Sequence, residues 1–275
     1  MRKLKQVINA FASQDGDGVI IHRVGGQHTH QFLNPFLMLD EINSDNASDY
    51  IGGFPAHPHR GFETITYMKV GKMRHKDNMG NNGIIESGDV QWMTAGKGVI
   101  HSEMPEQENG LLHGFQIWLN LPANEKLKAA AYRDLRNKDI PKLHLTSGGK
   151  VSAVSGSVLV DAQQITGPLP ELSTQPVFLD IELNENEAIS LKFNCHNPAL
   201  VFIYQGDSTQ LKYRQMGLYS TGETLSIQAK NNGLKAIILS GTPIHDPIVQ
   251  YGPFVMNSRE EINQAIFDYQ NNQFV

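Results

Sequence analysis

Two short segments carry side chains that could bind a metal ion. Residues 53–63 read GFPAHPHRGFE, and residues 96–105 read GKGVIHSEMP. Each segment holds its candidate ligands two positions apart: His57 with His59, and His101 with Glu103. On an extended segment, residues i and i+2 point to the same side. The spacing therefore predicts two ligand pairs that face each other across a barrel interior.

Three imidazoles and one carboxylate form a mixed nitrogen and oxygen site for a divalent first-row metal. Zinc, manganese, nickel and copper all suit such a site. Four protein ligands on an octahedral ion leave two positions open for a substrate and dioxygen, and open positions are typical of catalytic sites. The alternative is that both motifs are loops without a metal. Two pairs, each after a glycine turn, favour the metal.

The elements that must position these side chains are predicted to be strands. Most apolar segments are short and bounded by Gly, Asn, Asp or Pro, which is typical of a sandwich or barrel. With 25 glycines and 19% charged residues, the composition also favours many short strands. The predicted strands cover residues 19–22, 36–39, 62–70, 84–87, 90–93, 115–121, 177–183, 189–193, 200–204, 224–227 and 234–239.

A few short helices are expected, including one at the C-terminus. Residues 124–135 consist of good helix formers, and they are predicted to form a connecting helix. Near the C-terminus, Ser258 and Glu261 have the spacing of a capping box. Apolar residues follow at helical spacing, so one face of this C-terminal helix is expected to pack on a core.

The 275 residues correspond to about two domains, and a weak internal repeat supports that number. In the first half, Gly71 ends one strand and Gly88 precedes the next. Gly206 and Gly222 have nearly the same separation in the second half. The prediction is an all-β chain with two similar domains, residues 1–136 and residues 137–275, the second of which includes the C-terminal helix.

Charge and cysteine content restrict the partners and the compartment. Lys and Arg total 23 against 28 Asp and Glu, a net charge of −5, which argues against direct nucleic-acid binding. The single cysteine, Cys195, excludes an internal disulfide and is typical of a reducing cytoplasm. Apolar runs are too short to span a membrane. A cytoplasmic protein is therefore expected, with contact to a protein partner as an open possibility.

Several long motifs, in order along nearly the whole chain, resemble the pirin family of the cupin superfamily. They are LNPFLMLDE (33–41), HPHRGFETITYMKVG (57–71), GDVQWMTAGKGVIHSEMP (88–105), HGFQIWLNLP (113–122) and GPFVMNSREEINQAIFDYQ (252–270). The resemblance implies a bicupin of two jelly-roll β-barrels. It also implies one divalent metal ion in the first barrel, most simply Fe(II), with manganese, nickel, copper, zinc or cobalt as substitutes.

Carried over by position, the family's ligands are His57, His59, His101 and Glu103. Glu63 has the spacing of a usual cupin ligand, but the resemblance implies that Glu103 takes this role, which leaves Glu63 as a neighbour of the ligands. The matching positions of the second half hold Lys192, Asn194, Lys235 and Ile237, so no metal is expected there.

Other polar residues have less specific roles. Arg60 follows the first ligand pair and is expected to brace a carboxylate such as Glu63, or to touch the pocket. His113 alternates with Phe115, which favours a packed core histidine over a pocket contact. His75 lies beside a turn and is expected to be exposed, with a place at the rim of the pocket as the alternative. His28 and His30 form another pair at i, i+2 spacing, in a polar segment that is predicted to be a solvated loop.

The resemblance implies a quercetin 2,3-dioxygenase, which opens the central ring of a flavonol with dioxygen and loses carbon monoxide. Glu103 is then the expected general base. Two alternatives stay open. One is an iron-dependent, redox-sensing transcriptional co-regulator that acts through protein partners. The other is a metal-assisted isomerase or hydrolase that uses the same site.

Overall fold

The computed structural model describes residues 1–26, 30–169 and 172–275, with the side chain of His30 left aside. His28 therefore lies outside the described residues. Strands make up most of the described residues, and the predicted all-β class is confirmed. Every strand pairing in the described residues is antiparallel.

The strands in chain order are β1 (Leu4–Asn9), β2 (Phe11–Asp15), β3 (Val19–Gly25), β4 (Phe36–Ser44), β5 (Phe54–His59), β6 (Phe62–Val70), β7 (Met73–Asp77), β8 (Asn82–Ile85), β9 (Val90–Thr94), β10 (Val99–Pro105), β11 (Leu112–Asn120), β12 (Ala131–Leu135), β13 (Lys142–His144), β14 (Lys150–Ser155), β15 (Ser157–Val160), β16 (Gln163–Thr166), β17 (Val177–Leu183), β18 (Ala188–Lys192), β19 (Ala199–Ser208), β20 (Gln215–Tyr219), β21 (Thr224–Ser240), β22 (Val249–Tyr251) and β23 (Phe254–Met256). The helices are α1 (His30–Leu33) and α2 (Arg259–Gln270), with short 3-10 turns at Ala47–Asp49, Ala123–Glu125 and Asn137–Asp139. Neither helix in these described ranges is long and apolar enough to cross a bilayer.

The chain divides into two compact units. Unit 1 comprises Met1–Ala10, Phe32–Asn34 and Lys138–Pro243, and unit 2 comprises Phe11–Gln31, Pro35–Asn137 and Ile244–Val275. The predicted division into domains at 136/137 stays a prediction, and the compact units change between Asn137 and Lys138. The units differ from that division at both termini, because the N-terminal strand belongs to unit 1 and the C-terminal helix to unit 2. Strand pairing explains the first exchange, since β1 pairs with β20.

Unit 2 consists mainly of two antiparallel sheets. One has seven strands in the order β12-β9-β6-β11-β4-β3-β2, and the other has four in the order β5-β10-β7-β8. The sheets face each other, because Thr66 on β6 and Gln116 on β11 donate hydrogen bonds to Glu103 on β10. This interior combines an apolar cluster around Tyr50 with the polar motifs predicted above.

Unit 1 is a ten-stranded sheet in which β21 is a single strand of 17 residues. The sequence predicted two strands there, because the polar residues at its middle interrupt the apolar pattern. Alternating residues of the sheet form an extended apolar core, which includes Val151, Leu179, Val201 and Ile238. Ile237 is also buried, whereas Lys192 and Asn194 are exposed.

The predicted helix over residues 124–135 is wrong. The chain makes one 3-10 turn at Ala123–Glu125 and then forms β12, which pairs with β9. Helix propensity is a weak preference, and the hydrogen-bonding edge of β9 overrides it. The C-terminal helix is confirmed: the Ser258 hydroxyl accepts from the Glu261 amide, and the Glu261 carboxylate accepts from the Ser258 amide.

Candidate metal centre

The two histidine motifs lie on neighbouring strands of the four-stranded sheet. The register of β5 and β10 places His57 directly opposite His101, with an irregularity between His101 and Glu103. The ligand pairs are therefore side by side within one sheet, and the expectation that they face each other across the interior is wrong. The same-side rule for i and i+2 still holds, and it brings the imidazoles of both strands together.

Three imidazoles form a tight cluster. The Nε2 atoms of His57 and His59 are 3.0 Å apart, and the ring centroids of His57 and His101 are 4.4 Å apart. One ligand atom from each of His57, His59 and His101 lies within 4.8 Å of the others, a spacing that could hold one metal ion. In the described part of the chain, no other group of three His, Cys, Asp or Glu residues reaches this spacing.

The surroundings suit metal binding. Burial, and then the neighbouring His57, hold the pKa of His59 well below its ordinary value. Burial and the neighbouring histidines do the same to the pKa of His101. Both rings are therefore neutral and keep a lone pair for a metal. The Nε2 atom of His101 is buried without a hydrogen-bond partner, which is costly unless a ligand occupies it. The donor set thus fits a divalent ion.

Glu103 is 3% exposed and points into the same interior. Its Oε1 accepts a hydrogen bond of 2.8 Å from Thr66 Oγ1, and its Oε2 accepts one of 2.8 Å from Gln116 Nε2. Glu103 is not part of the three-histidine cluster. Its role as the fourth ligand therefore stays a prediction. Neither Thr66 nor Gln116 was identified from the sequence, although their inward positions on β6 and β11 follow from strand alternation.

A cavity of about 760 Å³ opens beside the histidines, within the usual range for small-molecule sites. His57, His59 and Glu103 form part of its wall, together with Trp118 and Met38. The Trp118 ring lies edge-on to His59, with ring centroids 5.3 Å apart. At another part of the wall, Arg23 donates to both carboxylate oxygens of Asp40. The cavity therefore offers flat apolar surface next to the metal ligands, and fixed polar groups elsewhere.

Arg60 does not brace Glu63. Its guanidinium pairs with Asp268 at 2.6 Å and lies over the Phe274 ring, 4.4 Å from the centroid. It also donates to the carbonyl of Lys97. The next residue, Gly61, has a φ of +90°, and a Cβ there would lie 2.0 Å from the Val255 carbonyl oxygen. The C-terminal segment thus holds the end of the HPHRG motif.

Glu63 and His113 lie away from the histidine cluster. Glu63 accepts hydrogen bonds from Thr94 Oγ1 and Trp92 Nε1, on the face of β6 opposite to Thr66. His113 pairs with the buried Glu41 at 3.1 Å, as a hydrogen-bonded core histidine would. His75, expected at the surface, is 0% exposed, and that expectation is wrong. His75 lies on β7, which pairs with β10, and its partner in the register is Glu103. The residue therefore belongs to the sheet that carries the histidine cluster and not to an exposed turn.

Two facing antiparallel sheets with a histidine cluster on one of them are typical of a cupin domain, and comparisons with known proteins agree on this class. The pirin family model matches residues 19–119, and the pirin C-terminal cupin domain model matches residues 178–275. The chain belongs to the pirin family, and it has two cupin domains. The resemblance drawn from the motifs is confirmed.

Relatives cover the whole chain. A Pseudomonas aeruginosa protein named "Putative quercetin 2,3-dioxygenase" is 42% identical over 98% of this chain and 97% of its own length. A Vibrio cholerae protein of the same description is 44% identical over 99% and 98%. The crystal structure of quercetin 2,3-dioxygenase from Acinetobacter baumannii superposes with a TM-score of 0.90 at 31% identity, covering 100% of this chain and 98% of that one.

Proposed function

We propose that this protein is a metal-dependent dioxygenase that cleaves the central ring of flavonols such as quercetin, with dioxygen as the second substrate. The observation that carries the proposal is the cluster of three histidines beside a buried carboxylate, where His57, His59 and Glu103 line a cavity that also has an aromatic side chain in its wall. The names of the relatives and of the Acinetobacter structure support the same reaction.

The residues that would hold the metal are His57, His59, His101 and Glu103. We propose one divalent ion per chain, most simply Fe(II), although manganese, nickel, copper, zinc and cobalt suit the same donors. When bound, the metal supplies Lewis acidity that lowers the pKa of the flavonol 3-hydroxyl and favours reaction with dioxygen. The cytoplasmic location inferred from the single cysteine remains part of the proposal.

Glu103 is the proposed general base. Its carboxylate takes the proton from the flavonol 3-hydroxyl, a role worth about 10²–10⁴ in rate. Thr66 and Gln116 hold one carboxylate oxygen each, so the base is oriented before the substrate arrives. Either hydrogen bond can lengthen when the carboxylate gains the proton, because a protonated oxygen accepts less strongly.

The cavity wall is proposed to orient the flavonol. Trp118 and Met38 offer flat and adaptable apolar surface against an aromatic ring system. A ring held there excludes water from the hydroxyl that reacts, which strengthens the electrostatic interactions at the site.

An aerobic quercetin assay tests the proposal. Metal-loaded protein is expected to remove the near-visible absorbance of quercetin in air and to release carbon monoxide, whereas the absorbance persists without oxygen. Persistence in air, with the metal content verified, would overturn the dioxygenase. Substrate conversion without oxygen consumption would instead favour an isomerase or hydrolase at the same site.

A further inference from the structure

A second buried polar pair adjoins the histidine cluster. His75 and Asp77 lie on β7, and both side chains are 0% exposed. The register of β7 and β10 pairs Asp77 with His101, and His75 with Glu103. Residues two apart on a strand point to the same face, so all four side chains share one face of the sheet. Buried polar groups need partners, and these groups have each other.

The contacts form a chain with a defined direction. His101 Nδ1 is 3.4 Å from His75 Nδ1, and His75 Nε2 is 3.4 Å from Asp77 Oδ2. The other ring nitrogen of His101, Nε2, is the buried atom without a hydrogen-bond partner. If Nε2 binds a metal, Nδ1 must carry the hydrogen and donate it to His75. His75 then carries its own hydrogen on Nε2 and donates it to Asp77.

Asp77 is itself fixed by the turn that follows β7. Its Oδ1 accepts from the amides of Met79 and Asn81, and its Oδ2 accepts from Asn81 Nδ2. On another side, the Tyr132 ring lies 5.1 Å from the His75 ring, while its hydroxyl accepts from Gln91. The turn therefore orients the carboxylate, and the carboxylate orients His75.

We propose that His75 and Asp77 are positioning residues of the metal centre, which fix the ring orientation and the Nδ1–H tautomer of His101. This inference rests on the metal site of the proposed function. Partners of this kind hold a metal-binding histidine in place and increase its basicity, and their loss typically weakens metal affinity by about 10–100-fold. Here a second histidine, His75, lies between the carboxylate of Asp77 and the metal-binding ring of His101.

Copper(II) bound to the full chain provides a readout that does not depend on turnover. Electron spin echo envelope modulation detects the remote nitrogen of a bound imidazole, and its quadrupole coupling changes with the hydrogen bond at that nitrogen. His75→Phe keeps a ring but removes the acceptor. It is expected to weaken copper(II) binding by about 10–100-fold and to change the coupling of one histidine.

Two further variants keep the test independent of folding. In His75→Gln the amide oxygen can still accept from His101, so this variant is expected to retain more affinity than His75→Phe. Asp77→Asn keeps Oδ1 for the two turn amides but loses the acceptor for His75, so it is expected to shift the coupling in the same direction. Tyr132→Phe, which removes a hydroxyl bonded elsewhere, is the control and should match the wild type.

The outcomes separate the two proposals. Wild-type affinity and wild-type coupling in His75→Phe and Asp77→Asn would overturn the positioning role while leaving the metal site intact. If the wild type itself binds no copper(II), the metal site and the positioning role both fail. If circular dichroism shows that His75→Phe does not fold, Asp77→Asn and His75→Gln decide whether His75 and Asp77 position His101.

Discussion

At the scale of single residues, strand alternation places one buried glutamate at the cavity and another on the opposite face of a strand. Glu103 lies on the interior face of β10, between Thr66 and Gln116. Glu63 lies on the opposite face of β6 and accepts from Thr94 and Trp92. The two carboxylates are nearly equally buried, at 3% and 2% exposure. Only Glu103 lies at the cavity wall, so only Glu103 is in a position to take a proton from a substrate there.

The first prediction compares these two residues. Glu103→Gln is expected to lower kcat for quercetin by about 10²–10⁴, because an amide cannot accept the hydroxyl proton. It should retain part of the bound metal, as measured by elemental analysis. Glu63→Gln is the matched control, and its kcat is expected to stay near the wild-type value. Equal losses of kcat in both variants would contradict the assignment of the base.

Lys126 is a buried amine that contacts both the end of the HPHRG motif and the C-terminal segment. It is 1% exposed, and its Nζ donates to the carbonyls of Gly61 and Val255 and to Asn120 Oδ1. Burial lowers the pKa of Lys126 to about 7, although Glu261 and Asp246 oppose this effect. In the unfolded chain the amine has its ordinary pKa of 10.5. The unfolded state therefore binds more protons between these two values.

The second prediction follows from that difference. Stability rises with pH wherever the unfolded state binds more protons, so the contribution of Lys126 improves as pH rises from about 7 toward 10.5, with a steepest slope of about 1.4 kcal/mol per pH unit. Below pH 7 both states are protonated and the slope vanishes. Urea unfolding of wild type and Lys126→Met at pH 7 and pH 9.5 measures this. The wild type should gain stability relative to the variant, and parallel pH profiles would refute the prediction.

At the scale of elements, the C-terminal segment contacts the chain directly after β5, the strand that carries His57 and His59. Arg60 forms an isolated bridge with Phe254, pairs with Asp268 on α2 and lies over Phe274. Phe274 is 3% exposed and packs against Phe254, with ring centroids 5.5 Å apart. Because Arg60 directly follows His59, these contacts fix the end of the first ligand pair.

The third prediction concerns that contact. Phe274→Ala is expected to lower the free energy of unfolding by about 3–5 kcal/mol, because a buried aromatic ring is lost and the Arg60 guanidinium loses its apolar support. Phe267→Ala removes the same side chain from α2 at a position that is 53% exposed, and should change stability by less than about 0.5 kcal/mol. Denaturant unfolding checks both. Similar losses in the two variants would show that the Phe274 contact is not specific.

Many of the strands, and the C-terminal helix, could be predicted from the sequence. Residues 62–70 and 177–183 were predicted as strands with the observed bounds, because their apolar runs end at clear turns. The capping box predicted the start of α2 from local chemistry alone. Residues 124–135 were mispredicted because their conformation depends on pairing with β9, and a pairing across the chain leaves no local signal.

The difference between local signals and pairing across the chain also explains which residues of the site could be predicted. The i, i+2 motifs predicted that His57, His59 and His101 come together, because this alternation is local, and their role as metal ligands stays a prediction. His75, Thr66 and Gln116 were missed, because only the order of the strands brings them to the cluster. For Thr66 and Gln116, a polar side chain at an inward position of a predicted strand is the sequence signal that could have indicated a place in the site.

At the scale of the whole molecule, the two cupin domains have different interiors. The core of unit 1 is built from apolar side chains, and the three-histidine cluster belongs to unit 2. A shared architecture therefore carries a histidine cluster in one domain and an extended apolar core in the other, as expected when function depends on the site and not on the fold.

The fourth prediction is one metal ion per chain. Elemental analysis of purified wild-type protein is expected to give a ratio of metal to chain near one. His101→Ala should retain close to no metal, because it removes one of the three clustered imidazoles, the one that β10 contributes. His144→Ala, in unit 1, is the control and should keep the wild-type ratio. A ratio near two, or retention of metal by His101→Ala, would disprove this assignment.

The exchange of terminal segments also sets an order of events during protein synthesis. His57, His59 and His101 leave the ribosome long before Val255, Asp268 and Phe274 are made, a delay on the order of ten seconds at roughly 5–20 residues per second. Unit 2 lacks Ile244–Val275 during that interval, so the end of its ligand strand has no support from Arg60 contacts. The C-terminal contacts of Arg60 with Asp268 and Phe274 are therefore added to unit 2 only after all three histidines have been made.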